Sequence, residues 1–118
     1  MKLGDVASKL SISQKKLTAY ALNHDHPKGK HKAIIFEAIL GYNVENFAPL
    51  VTQIMANALE SEAILKRTDQ YGQHFQVNLL IVGISGQKAM VRTGWFLASG
   101  STTASLSTLF VIGMKTHD

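Results

Sequence analysis

The spacing of apolar residues changes character once along the chain. Up to about Glu60 they recur every three or four positions, and from about Ala63 they alternate, so helices come first and strands second. Ser13 is placed to cap a short helix on which Leu17, Tyr20 and Ala21 share a face, and that run ends in the turn-prone stretch from Asn23 to Gly29. Lys30 to Leu40 carries an apolar stripe of Ile35, Phe36 and Ile39 and stops at Gly41, a common C-terminal cap. A third helix follows, capped by Asn43 or Asn46, with Leu50, Val51, Ile54, Met55, Ala58 and Leu59 on one face. Pro49 favours the later cap, because its missing N–H is harmless only in a helix's first turn.

From Gly72 the period is two: Phe75, Val77, Leu79 and Ile81 alternate with His74, Gln76 and Asn78, the mark of a half-buried strand. GISGQ then offers a three-residue hairpin loop, Ile84-Ser85-Gly86, with Gly86 in the left-handed position. Pairing Gly83 with Gln87 sets Val77 beside Thr93 and Phe75 beside Trp95 on the core face. On the other face Asn78 meets Arg92 and Gln76 meets Gly94. A slip of one residue would bury Arg92, and Trp95 falls in the core, as aromatics at alternating strand positions usually do. Ser105 to Ile112 forms the last strand, with Leu106, Thr108 and Phe110 on one side and Ser105 and Ser107 on the other, and Glu62 to Arg67 adds a short leading strand. The expected fold class is α+β: about three N-terminal helices packed on one face of a three- to four-stranded antiparallel meander sheet. The sheet's other face then carries His74, Gln76, Asn78, Arg92 and Ser107, a polar surface able to bind or cut a ligand.

Composition narrows the chemistry. The 118 residues carry 12 Lys plus Arg against 8 Asp plus Glu, a net charge of +4, with 46% hydrophobic residues and no Cys. That is one ordinary folded domain, neither disordered nor membrane-spanning. Without Cys, disulfides, thiol nucleophiles and thiolate metal sites are excluded. The start MKLGDVASKL has no apolar core of a secretory signal, so the expected location is the cytoplasm, with no membrane partner.

Where the charge sits matters more than its total. HDHPKGKHK, residues 24 to 32, holds three of the five histidines and three lysines in nine positions. Lys28, Lys30, His31 and Lys32 around Gly29 at a helix entrance resemble an anion-binding site, although a solvated basic loop has the same composition. No GxxxxGK[ST] pattern is present, which argues against a nucleotide-hydrolysing loop. His24, His26 and His31 have imidazoles enough for a metal, but only Asp25 stands near to complete a ligand set and no HExxH occurs, so no metal and no cofactor are expected. In TDQYGQHF, Asp69 and Gly72 suit a turn, while Tyr71 stands beside it and His74 falls on the strand face shared with Arg92. Imidazole, guanidinium and lysines around one groove are what metal-free phosphodiester cleavage needs, namely proton transfer and cations for the phosphorane charge. An exposed His and Arg on a solvated face is the plainer alternative. Residues 4 to 22 also resemble a helix-turn-helix, with Ala7, Leu10 and a would-be recognition helix bearing Lys15, Lys16 and Thr18.

The string from Leu17 to Phe36 fits LxxYxLNxxHPxGxxKAxxF, and DQYGQHFQV and VRTGW follow it. Together these resemble a small uncharacterised bacterial domain family across roughly residues 16 to 97, within a single domain of residues 1 to 118 whose first fifteen form a family-variable extension. By architecture it is similar to the small endoribonucleases that include barnase, RelE and colicin D. The resemblance places family positions at His26, Gly29, Lys32, Ala33, Asp69, Tyr71, Gly72, Arg92 and Trp95. It implies a toxin-like endoribonuclease; joined to the residues read above, it gives His26, Tyr71, His74 and Arg92 as the catalytic set and Lys28, Lys30, His31 and Lys32 as the phosphate-binding set, with His31 and His74 additional to the family positions. RNA and an acidic antitoxin or immunity protein are the implied partners. A non-catalytic binding module is the alternative, and helix-turn-helix DNA binding a third.

Overall fold

The computed structural model describes residues 1–114. After a single 3-10 turn (Leu3–Asp5) come β1 (Lys9–Ser11) and α1 (Gln14–Lys16), which runs on into a wider π-helical turn (Leu17–Ala21). Then follow α2 (Lys30–Leu40), α3 (Ala48–Asn57), β2 (Ala63–Asp69), β3 (Gly72–Val82), β4 (Lys88–Ala98) and β5 (Thr103–Met114). The class is mixed α+β, as the periodicities predict. The sheet, however, has five strands in the order β1-β5-β4-β3-β2. The antiparallel meander is β2 to β5, and the additional strand is β1, parallel to β5 through Lys9↔Thr103 and Ser11↔Ser105.

That strand stands where the helix-turn-helix expectation needs a helix. The first helix of a helix-turn-helix would occupy the residues around Lys9–Ser11, which are extended and hydrogen-bonded into the sheet instead. Residues 1–15 pack into the same domain as the rest of the chain, with Leu3 and Ala7 buried and Lys2 bridging Glu62 beside β2. A three-residue strand has no periodicity of its own to read. It exists because β5 offers it an edge.

The helices begin and end largely where their capping chemistry puts them. Ser13 Oγ accepts the Lys16 N–H at 3.3 Å, and α2 closes at Gly41. α3 opens at Ala48, two residues beyond Asn46, with Phe47 at its cap and Pro49 in its first turn. Asn43 and Asn46 tie the preceding turn instead: Asn46 Oδ1 accepts the Asn43 N–H at 2.7 Å, and its amide donates to the Gly41 carbonyl at 2.9 Å. The buried faces are Ala33, Phe36 and Leu40 on α2 and Leu50, Ile54 and Ala58 around α3. Ile35 and Met55, expected inward, are 47% and 46% exposed because each helix is rotated toward those smaller triplets.

In β3 and β4 the anticipated register holds throughout, including Val77↔Thr93, Phe75↔Trp95, Asn78↔Arg92 and Gln76↔Gly94. The loop between them closes through the Gly83 N–H to the Gln87 carbonyl, with Gly86 at φ 87° where a side chain would be strained. Phe75, Val77, Ile81, Val91 and Trp95 form one buried cluster with Phe36, Leu40, Leu50 and Ile54. Inside it Thr93 is fully buried, its hydroxyl donating to the Val77 carbonyl and accepting the Trp95 indole N–H, both at 2.7 Å. The VRTGW block thus satisfies its own buried polar groups. Tyr42, after the LGY helix end, donates to the Val82 carbonyl at 2.6 Å and accepts from Gln53 at 3.1 Å. Burial raises its phenol pKa, more than the Gln53 bond lowers it.

β5 departs from simple alternation. The pairing steps from Gly94↔Thr108 to Trp95↔Leu106, leaving Ser107 as a bulge. Leu106 and Leu109 are therefore both buried, while Thr108 and Phe110 fall on the outer row, with Phe110 beside Arg92. Gly94 permits this, because a Cβ there would collide with Thr108 Oγ1 and crowd Ser107 Oγ. None of the helices among the described residues is long and apolar enough to cross a membrane.

Candidate functional site

The basic loop is built around its own backbone. His26 Nδ1 accepts the N–H groups of Lys28 (3.1 Å) and Gly29 (3.0 Å), closing the turn that feeds α2. The His26 ring meets the Tyr20 ring edge-on at 4.4 Å between centroids, and a Cβ on Gly29 would press on the Tyr20 carbonyl. The LxxYxLNxxHPxG string is accordingly a packed turn in which imidazole replaces the side-chain oxygen of an ordinary cap. With two donors on Nδ1, that lone pair takes a substrate proton only by releasing the turn. Lys28, Lys30 and His31 are exposed around it. His24 lies apart, its Nε2 2.9 Å from Glu37 Oε1, while Asn43 donates to Glu37 Oε2 at 2.7 Å. Among the described residues no three histidines or carboxylates are grouped to hold a metal.

The outer row of the sheet holds a groove of about 390 Å³. Its floor is the register row of Gln76, Gly94 and Thr108, with Ser107 at the bulge. The missing side chain at Gly94 is what makes it a depression. Two residues along each strand lie the walls: Arg67 and His74 on one side, Asn78 and Arg92 on the other. Four residues of β3 separate the walls' Cα atoms, about 13 Å, so long side chains from both can reach one phosphate-sized ligand between them. Lys66, displaced by a bulge in β2, adds a further cation to the lining.

His74 is held in place. Its Nε2 is 3.1 Å from Asp69 Oδ2 and 3.0 Å from Arg67 Nη2, and its ring tilts against Phe96 at 4.9 Å between centroids. A proton on Nε2 satisfies the carboxylate, and Arg67 is then an ion-pair partner of Asp69 at 3.6 Å rather than a donor to the ring. The other oxygen, Oδ1, accepts the N–H groups of Tyr71 (2.9 Å) and Gly72 (3.1 Å). These backbone bonds, Tyr71's first, outweigh partial desolvation and with His74 hold the Asp69 carboxyl below its ordinary range. Asp69 thus fixes the turn with one oxygen and the imidazole with the other. His74 Nδ1 has no hydrogen-bond partner among the described residues. Opposite, Arg92 Nε donates to Asn78 Oδ1 at 3.1 Å, which orients the guanidinium and leaves its terminal nitrogens unassigned.

Of the candidates read from sequence, His74 and Arg92 line this groove together. Tyr71, at the β2–β3 turn, is 68% exposed and outside the lining, as are His26, Lys28, Lys30 and His31. Lys32 is the one loop cation with a foothold on the outer row, its Nζ 4.2 Å over the Phe110 ring. Sequence reasoning missed Lys66, Arg67 and Thr108 as groove residues. Arg67 was recoverable, because the D-x-YG turn folds β2 back on β3 and brings it opposite His74. Thr108 was not, because the bulge that turns it outward depends on a contact with Gly94.

The chain belongs to the DUF6883 family, a domain of unknown function, which matches residues 2–113. No curated protein and no solved structure matches it, so the likeness of architecture to barnase, RelE and colicin D has no support from these comparisons.

Proposed function

We propose that the domain is an endoribonuclease that cleaves an RNA phosphodiester without a metal, in the manner of a toxin, with the groove on the outer row of the sheet as its active site. The observation that carries this reading is the arrangement of His74 and Arg92 on opposite walls of one groove, with Asp69 behind the imidazole. Asp69 favours the tautomer with hydrogen on Nε2 and leaves Nδ1 as the base. Nδ1 takes the proton of the ribose 2′-hydroxyl, and the 2′-oxygen forms a bond to phosphorus. The bond from phosphorus to the 5′-oxygen breaks, leaving a 2′,3′-cyclic phosphate. The departing 5′-oxygen receives a proton from the Lys66 ammonium or from water, since His74 stands on the attacking side. Arg92 and Arg67 stabilise the charge that builds on the phosphoryl oxygens, a contribution that is large in a preorganised site. Of the two histidines expected to serve as acid or base, this reading takes His74, because His26 already uses its lone pair on its own turn.

The test is incubation of the purified protein with single-stranded RNA in EDTA, followed by identification of the product ends. Cyclic phosphate ends from wild type and intact RNA from His74→Gln are the expected results. The competing reading is a non-catalytic anion-binding module, and it is favoured by His74 being the sole imidazole of the groove lining among the described residues. It expects wild type to bind RNA and leave it uncut. A toxin of this kind would be neutralised by an acidic partner covering the same cations, so toxicity relieved by an adjacent acidic gene product is the corresponding cellular observation.

A further inference from the structure

The groove has a direction, and the direction bears on what it accepts. Its floor row runs across the strands, from Gln76 on β3 through Gly94 on β4 to Thr108 on β5, rather than along any one of them. Beyond Arg92 on the same wall lies Phe110, its register partner on β5. Over Phe110 sits Lys32, carried by the first turn of α2 and held 4.2 Å from the ring centroid. Cations therefore stand on a diagonal across the sheet: Arg67 on the β2 edge in His74's row, then Arg92 on β4 and Lys32 above β5 in the row of the opposite wall. With neighbouring strands about 4.8 Å apart, the span from β2 to β5 is about 14 Å. That exceeds the reach of one phosphate and fits a short run of backbone phosphates.

We infer that the groove takes a single-stranded polynucleotide laid across the strands, and that Lys32, seated on Phe110, binds a phosphate beyond the one held between His74 and Arg92. The inference rests on the ribonuclease reading for the identity of the central phosphate, and adds a substrate class and a binding position. Two features support Lys32 in that position rather than as a solvated surface charge. The cation–π contact restrains a flexible side chain over the outer row, which lowers the ordering cost of meeting a ligand there. The bulge at Ser107 also turns Thr108 outward onto the groove floor on β5, two residues from Phe110, so that Lys32 stands just beyond the groove's lining. Among the described residues Lys28, Lys30 and His31 make no comparable contact on this face.

The experiment measures fluorescence anisotropy with labelled oligouridylates of two, four and eight nucleotides carrying 2′-fluoro groups, which cannot be cleaved. Wild type should bind the four-mer at least tenfold more tightly than the two-mer, with little further gain at eight. Lys32→Gln should lose most of that gain, and the slope of log affinity against log salt on the four-mer should become shallower by about 0.7, as for one phosphate contact on a single strand. Phe110→Leu preserves an apolar side chain but removes the ring, and should show a smaller loss of the same kind. A complementary duplex of the eight-mer should bind at least tenfold more weakly. Affinity independent of length, a Lys32→Gln effect equal on two-mer and four-mer, or equal binding of duplex would overturn the inference while leaving cleavage at His74 intact. Absence of binding to any RNA would overturn the ribonuclease reading and this inference with it.

Discussion

The two segments densest in chemically capable side chains, the loop from His24 to Lys32 and the hairpin start from Asp69 to His74, end in different employment. Each has a histidine in or just beyond a tight turn. In the loop the imidazole is the acceptor that closes the turn, and both available donors are its own chain's amides. In the hairpin the turn is closed by Asp69, which frees the imidazole to stand on the sheet face and be oriented by the same carboxylate. Polar density in sequence is thus a poor guide to a site. What matters is whether local backbone donors have already claimed the lone pair.

This contrast is most easily broken by exchanging the histidines' effects. His74→Gln should lower RNA cleavage by about 100-fold or more, the usual scale for a general acid–base group, while the thermal midpoint stays near that of wild type. Equal activity would remove His74 from the chemistry. Arg92→Gln should follow with a loss of roughly 10-fold to 100-fold, as for one stabilising cation in a preorganised site, read in the same assay. His26→Ala should do the reverse: it should lower unfolding stability by about 1 kcal/mol, the scale of a lost helix cap, and leave the folded fraction's cleavage rate unchanged. Denaturant titration alongside the assay separates the two effects, and a His26 variant that folds fully yet fails to cleave would return the loop to the active site.

Asp69 sharpens the comparison through pH. Its folded pKa lies below the ordinary 3.8, so its contribution to stability is complete above that value and is lost as the pH falls through the lower folded one. Acid unfolding of Asp69→Asn should lack that limb, and the variant should also blur the pH profile of cleavage, because His74 loses its orienting partner. The smallest effect belongs to the exposed loop cations. Lys28→Gln and Lys30→Gln should change stability by less than about 0.5 kcal/mol, as exposed surface substitutions do, and should barely alter oligonucleotide affinity at moderate salt.

Several features were legible without coordinates. The order of helices and strands, the caps at Ser13 and Gly41, the Ile84-Ser85-Gly86 loop and the full β3–β4 register were all available from neighbouring residues. So was the outer row of His74, Gln76, Asn78 and Arg92, since alternation and a fixed hairpin loop leave no other arrangement. These features depend on interactions between residues close in sequence or paired across one tight turn, and such interactions leave periodic or positional traces. The remainder had no such trace. The β1 strand is too short to show a period and is specified by the edge of β5. The outward turn of Thr108 depends on Gly94 in another strand, and Lys32's seat depends on Phe110, far along the chain. Which histidine kept a lone pair free was likewise settled by folding, because it turns on how each ring meets the backbone once the turns have closed. The sequence by itself determined a helix-then-strand domain with one polar sheet row. Tertiary structure alone decided which cations that row would share, because contacts between distant segments obey packing and register rather than local pattern.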